Sequence, residues 1–374
     1  MTMKTGFLKI LSLLLLFSFT ALANARPGKT VPEVDRLFAQ AQSRGTVRVI
    51  VELDPNNLMS ATTQGATALN KKQRIQRAAD GMLERMNPAG KRGIKRFKHV
   101  PLLALETTEQ GLQEILASPQ TVAVYEDSLY APSLVSSVQL IGGDTVHNAG
   151  YTGLGHAVAI IDTGVESSHS FLSPRVVSEA CYSTTSPLSG STTVCPNGGQ
   201  EQTGPGSGIP CDVAGCEHGT HVAGIAAGNG PLFDGVARDA DIIAIQVFSE
   251  FSRSSDCGGN APCAFAFTSD ITQGLERVFD LRDSFNIAAV NMSLSGGRYF
   301  SACDDDPMKS TIDLLRSAGI ATVIAAGNNG WSNSISSPAC ISTAVAVGST
   351  TKSDEVSSFS NSSSLVDLLA PGSM

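Results

Sequence analysis

Cysteine is absent from the first 180 residues of this 374-residue chain; all eight lie between Cys181 and Cys340. Paired C-x-x-C knuckles are absent too, which speaks against zinc even though Cys211, Cys216 and His218 are close in sequence. No internal apolar run is long enough to span a membrane, and no internal repeat is present. Aromatic residues are few, at 6%. The basic cluster Lys91-Arg92, Lys95-Arg96 and Lys98 has only Phe97 within it, so no nucleic-acid surface is expected there. A solvated or protease-sensitive loop is the expectation for that stretch.

What is present suits an exported protein. The length fits a targeting segment plus two domains, and 42% hydrophobic residues are enough for a sizeable core. The short apolar run from Ile10 to Phe19 follows Lys4 and Lys9 and precedes Ala23-Asn24-Ala25. A basic start, a short apolar centre and an A-x-A site read as a signal peptide over residues 1–25, cleaved after Ala25. The competing reading is an N-terminal anchor, for which the apolar run is short. Export implies a secreted protein, extracellular or periplasmic, with no membrane contact after cleavage. An even cysteine count in such a chain implies disulfides. Their connectivity is open, but Cys211 with Cys216 and Cys257 with Cys263 are the expected local pairs, since both bracket loops containing Gly or Pro.

Charge divides the chain. Residues 26–131 hold 15 Lys+Arg and 11 Asp+Glu, a balance of +4, whereas residues 132–374 hold 9 and 23, a balance of −14. A basic segment ahead of an acidic domain is suited to dock on it.

Residues 26–45 read as a polar linker. Thr46 to Leu53 is β-branched and alternating, a strand. Lys71 to Met86 has helical spacing, Val100 to Glu106 and Thr121 to Tyr125 read as strands, and Thr108 to Ala117 as a helix capped by Thr107 or Thr108. A further strand near Ile94 to Phe97 completes a β-α-β-β-α-β order, the ferredoxin-like plan. From Gly142 short apolar strands alternate with helices: His156–Ile161, Ala240–Phe248, Ile287–Met292, Ile320–Ala325 and Thr343–Val347. Helices are expected over Thr220–Ala227, Asp270–Phe285 and Pro307–Ala318, the last with Asp306 as cap and Gly319 at its end. This is the pattern of an α/β domain with a parallel sheet covered on both faces, whose ligands bind at the carboxyl ends of the strands. The Ser/Thr/Gly-rich stretch from Ser183 to Gly208 reads as a surface loop.

Chemistry concentrates at such strand ends. Asp162, in Ile160-Ile161-Asp162-Thr163-Gly164, is a shielded carboxylate that needs hydrogen bonds. His218 opens the string His218-Gly219-Thr220-His221-Val222-Ala223-Gly224, whose small residues let a helix lie close to a sheet. A carboxylate that fixes an imidazole tautomer, with the imidazole as general base, is the acid–base half of a nucleophilic triad. Asn328 follows a strand and is placed to donate to a developing oxyanion. Ser293, Leu294, Ser295 and Gly296 form an extended small-residue segment able to pair with a peptide backbone.

These four motifs, in this order, resemble the subtilisin family of serine proteases. The resemblance covers nearly everything after the signal peptide. It implies a subtilisin-like three-layer α/β domain with a mostly parallel sheet at 132–374, preceded by a small α+β ferredoxin-like inhibitory propeptide at 46–131. It implies that Asp162 orients, His218 is the general base, Asn328 donates to the oxyanion, and Ser293 to Gly296 line the substrate cleft. His221 would be structural. It further implies protein or peptide substrates and a zymogen held by its own propeptide as an intramolecular inhibitor. Residues near Tyr130 to Ser137 would form the propeptide junction, and the tail of the propeptide would lie product-like in the active site until degraded.

Three departures stand out. The family's nucleophile sits in a Gly-Thr-Ser-Met-Ala helix start after an Ala-Pro-Gly turn. This chain has the turn, Ala370-Pro371-Gly372, and then reaches Ser373-Met374. Gly372-Ser373-Met374 lacks the threonine and any following helix, so the nucleophile is expected to be absent from this chain, cut short before its serine. Ser295 stands where the family commonly has glycine. Phe171, in His169-Ser170-Phe171, stands where many relatives place an aspartate for calcium. No cofactor or metal is therefore expected in this chain; that calcium site is lost, with disulfides supplying the rigidity, and calcium elsewhere in the complete protein stays an open alternative. The alternatives to an endopeptidase are a pseudoprotease that binds peptides without cutting, and a propeptide acting as protease inhibitor and folding chaperone.

Overall fold

The computed structural model describes residues 31–56, 71–132, 140–231 and 234–373. The expected signal peptide, and residues 133–137 of the expected junction, lie outside the described residues.

The N-terminal body runs α1 (Val31–Arg44), β1 (Val47–Leu53), α2 (Lys71–Arg85), β2 (Arg92–Arg96), β3 (Leu102–Thr107), α3 (Glu109–Ala117) and β4 (Thr121–Glu126). Its antiparallel sheet has the order β2-β3-β1-β4, the β-α-β-β-α-β plan with one helix added in front. That added helix corrects the linker reading of 26–45: Leu37 and Ala41, four apart on α1, are buried in the core. Side chains alternate along β1. Val47, Val49, Val51 and Leu53 pack with Ala78, Ala79, Met82, Leu83, Leu112 and Ile115 of the helices. Ile50 faces the other way, with Phe97, Leu102 and Ala104. The α3 cap is Thr108, whose hydroxyl accepts the Gly111 N–H at 3.1 Å.

A short strand, β5 (Leu129–Pro132), leads to the C-terminal body: α4 (Gly143–Asn148), β6 (Ala157–Asp162), β7 (Val176–Tyr182), β8 (Ser191–Thr192), β9 (Glu201–Thr203), α5 (His218–Ala227), β10 (Asp241–Gln246), β11 (Phe248–Phe251), β12 (Cys263–Phe267), α6 (Thr268–Leu281), β13 (Ile287–Met292), β14 (Leu294–Tyr299), α7 (Lys309–Ser317), β15 (Ala321–Ala325), β16 (Ile335–Ser337), β17 (Val345–Thr350) and β18 (Leu368–Pro371). The main sheet has the order β18-β17-β15-β13-β6-β10-β7-β9 and is parallel except at β9. Val222, Ala223 and Ala227 of α5 pack on one face with Ile160, Ile242 and Ala244. Ile271, Leu275 and Val278 of α6 and Ile312 and Leu315 of α7 pack on the other. This is the three-layer α/β architecture. Strand order reverses beside β6, because the chain moves to one side through β7 and β10 and then to the other through β13, β15 and β17.

A second, antiparallel sheet has the order β16-β14-β5-β12-β11-β8. The stretch 183–208, expected as surface loop, contributes β8 and β9, and Ser183, Thr184 and Ser186 are buried. Helix α7 begins later than expected, with Met308 as cap residue; Asp306 acts one turn earlier, accepting the Met308 N–H at 2.9 Å. Four disulfides form, Cys181–Cys195, Cys211–Cys216, Cys257–Cys263 and Cys303–Cys340. The two local pairs are those expected, and oxidation of Cys211 with Cys216 removes the zinc alternative.

The two bodies meet along α6 through charge. Lys95 pairs with Asp270, and His99 Nε2 lies 2.5 Å from Asp280. Glu276 accepts the backbone N–H groups of Lys98, His99 and Val100 at 2.8 to 3.3 Å. Arg48 donates twice to Asp127, at 2.7 and 2.9 Å, and Asp127 accepts the Ser269 hydroxyl at 2.7 Å. The cluster at 91–98 is thus a strand docked on a helix rather than a free loop.

Candidate active site

Asp162 is the last residue of β6 and is fully buried. Its Oδ1 accepts the Thr163 N–H at 2.7 Å and lies 2.7 Å from Nδ1 of His218, the first residue of α5. A carboxylate accepting both an N–H and an imidazole donor is compensated for leaving water. Among the described residues, Oδ2 of Asp162 has no hydrogen-bond partner.

The helix reaches the strand because of Gly219. A Cβ there would stand 2.2 Å from the Gly164 carbonyl oxygen and 3.1 Å from Asp162 Cβ. Any larger residue would push His218 off the carboxylate. Thr163 locks the approach: its hydroxyl donates to Cys216 O at 2.8 Å and accepts the Gly219 N–H at 2.9 Å. The Cys211–Cys216 disulfide closes the loop just before that carbonyl. Thr163 was legible only as part of a turn; its hydrogen bonds span more than fifty residues and leave no local signature.

Asn328 lies three residues past β15, exposed, at the same carboxyl edge of the sheet. His221, one turn into α5, is exposed. Ser293 joins β13 to β14 and accepts from Asn291 Nδ2 at 3.0 Å. Leu294 is buried; Leu294 and Ser295 pair antiparallel with Pro132 and Ala131 of β5, while Gly296 pairs with Ser337 of β16 on the other side. On its far side β5 pairs with β12, Tyr130 opposite Ala266 and Leu129 opposite Phe267. The segment read as a peptide-pairing strand therefore holds a peptide strand, and that strand is the chain itself.

Ser373 follows β18 at the outer edge of the main sheet, four strands from β6, or about 19 Å at the usual strand spacing. Its N–H donates to Thr350 O at 3.2 Å and its hydroxyl accepts from Ser357 at 3.1 Å. Phe171 lays its ring against α5: a Cβ on Gly228 would fall 1.9 Å from the ring. An apolar ring packed there offers no oxygen, so the turn does not fit calcium. Among the described residues, no group of three or more His, Cys, Asp or Glu side chains is placed to hold a metal ion, and no helix is long and apolar enough to cross a membrane.

A parallel sheet with a carboxylate-held imidazole at its carboxyl edge has the acid–base half of a nucleophilic triad. Comparison with known proteins makes the assignment narrower. The subtilase family (Peptidase_S8) matches residues 153–374. Subtilisin E of Bacillus subtilis (strain 168) is 30% identical over 331 residues, covering 84% of this chain and 74% of that protein. Subtilisin J of Geobacillus stearothermophilus is 32% identical over 286 residues, covering 74% and 63%. A solved cold adapted subtilisin-like serine proteinase is 29% identical, with a TM-score of 0.40 over 59% of this chain and 64% of that chain. The chain belongs to the subtilase family and is a subtilisin-like serine protease by descent.

Proposed function

We propose that this protein is a secreted endopeptidase, made as a zymogen, in which Asp162, His218 and Asn328 serve a serine supplied beyond Met374. The observation that carries the reading is the 2.7 Å contact between His218 Nδ1 and the buried Asp162 carboxylate. Asp162 fixes the tautomer, so that Nε2 is the basic nitrogen. The serine hydroxyl attacks the scissile carbonyl carbon, and its proton passes to His218 Nε2. The carbonyl oxygen takes the negative charge and is met by the Asn328 amide. The imidazolium, stabilised by Asp162, then gives its proton to the leaving amine as the C–N bond breaks. Water repeats the sequence on the acyl-enzyme.

The zymogen reading draws support from β5. An extended peptide between β12 and β14 makes the backbone pairs that a substrate would make. The segment 46–131 acts as intramolecular inhibitor by keeping its tail in that groove, and Ser293 to Gly296 form one wall of it. Calcium has no role at the Phe171 turn.

Fluorophosphonate labelling of the protein secreted by its native source, followed by peptide mapping, tests this. A label on a serine beyond Met374 is expected. A folded secreted protein that takes no label, or takes it on Ser373, would overturn the assignment.

A further inference from the structure

Asn361 lies outside every motif and is fully buried. It comes from a turn more than thirty residues after Asn328, yet its side chain is spent on the Asn328 loop. Its Nδ2 donates to Ala326 O at 3.0 Å, to Ser336 Oγ at 3.2 Å and to Asn329 Oδ1 at 3.3 Å. Its Oδ1 accepts the N–H groups of Asn329 and Trp331, at 3.0 and 3.2 Å. Two backbone donors on one side fix which end of the amide is oxygen. The Asn361 N–H donates to Gly327 O at 2.9 Å, the Gly330 N–H to Phe359 O at 2.7 Å, and the Ser362 N–H to Trp331 O at 2.7 Å.

Between Ala326 and Trp331, Asn328 is the one residue with no hydrogen bond to this turn among the described residues. The residues on either side of it are clasped, and it is left exposed. The fit is close at Gly327, whose φ is +107°. A Cβ there would meet Asn361 Nδ2 at 2.3 Å and Ser336 Oγ at 2.5 Å. A donor to a transition-state oxyanion must be set before the charge develops, and a loop alone does not hold one to the needed tolerance. We infer that Asn361 is a positioning residue: its carboxamide clasps the loop of residues 326–331 and fixes the direction of the Asn328 amide. The inference rests on the reading of Asn328 as oxyanion donor.

The test is a double-mutant cycle in the complete enzyme, with kcat and KM measured separately. Asn361→Ala is expected to lower kcat roughly 10- to 100-fold, the scale of a misplaced catalytic group, with KM within about 2-fold. Placed on Asn328→Ala, the same change should cost less than about 3-fold, because its target is gone. Ser336→Ala, which removes one acceptor of the clasp without touching its backbone bonds, should show the same pattern with a smaller loss. That variant decides the matter if Asn361→Ala fails to fold. An unchanged kcat, or a loss of equal size with and without Asn328, would overturn the positioning role. Wild-type kcat in Asn328→Ala alone would instead overturn the oxyanion reading, and the two failures are thus told apart.

Discussion

Lys95 on β2 and Asp270 in the first turn of α6 form an ion pair between the two bodies in which neither side chain is more than 6% exposed. Burial drives the Lys95 ammonium down from 10.5 to about 7, the Arg48 guanidinium adding to the effect and Asp127 and Glu201 opposing it. Contact with Asp270 also works in the opposing sense. Between pH 7 and 10.5 the docked lysine therefore holds fewer protons than the free one, and docking gains stability as pH rises through that window. Lys95→Met removes this linkage. The Tm of the wild type should rise with pH relative to that of Lys95→Met from about pH 7 upward; parallel curves would show that Lys95 does not titrate there.

Asp162→Asn keeps the shape of the site but lets the imidazole take the wrong tautomer. A fall in kcat of about 10⁴ is the scale for such a change. In the complete protein His218→Ala should accumulate as an unprocessed precursor, seen as a single larger band. Normal maturation of that variant would remove His218 from the reaction.

The Cys303–Cys340 bridge closes 37 residues around α7. In the chain-entropy account a loop of that size is worth about 4 kcal/mol, an upper figure where native strain or residual structure intervenes. The double variant Cys303→Ser/Cys340→Ser should lose about 2–4 kcal/mol by denaturant unfolding. An unmoved midpoint would mean that the packing of α7 on β15 suffices alone.

The Phe171 ring fills the space over Gly228, at the turn where the family resemblance would put a calcium ligand. Chelation with EDTA should leave Tm where it is. A large drop would place a stabilising ion elsewhere in the protein.

What could be read in the sequence were the features carried by short contiguous strings. His218 and Asp162 each sit in such a string, and the parallel sheet announced itself through apolar strands alternating with helices. What was missed depends on contacts made across long separations. Lys95 sits in a run of charges and reads as solvated; only docking on α6 buries it. Helix α1 interleaves polar and apolar residues, and its buried stripe is narrow, Leu37 and Ala41 with Phe38 partly buried beside them. Asn361, in a stretch of serines, has nothing around it that marks a buried amide. Cys181–Cys195 and Cys303–Cys340 needed the strand order before either pairing was apparent.

Because β5 is one chain with β4 on one side and is paired with β12 and β14 on both edges, its hold on the groove is intramolecular. Its local concentration there is set by a tether two residues long and not by how much protein is present. On the zymogen reading proposed above, dilution cannot empty the groove of an intact chain, and a free peptide must outcompete a neighbour that never diffuses away. Were the backbone cut, the same strand would obey mass action, and the groove would open as the protein is diluted.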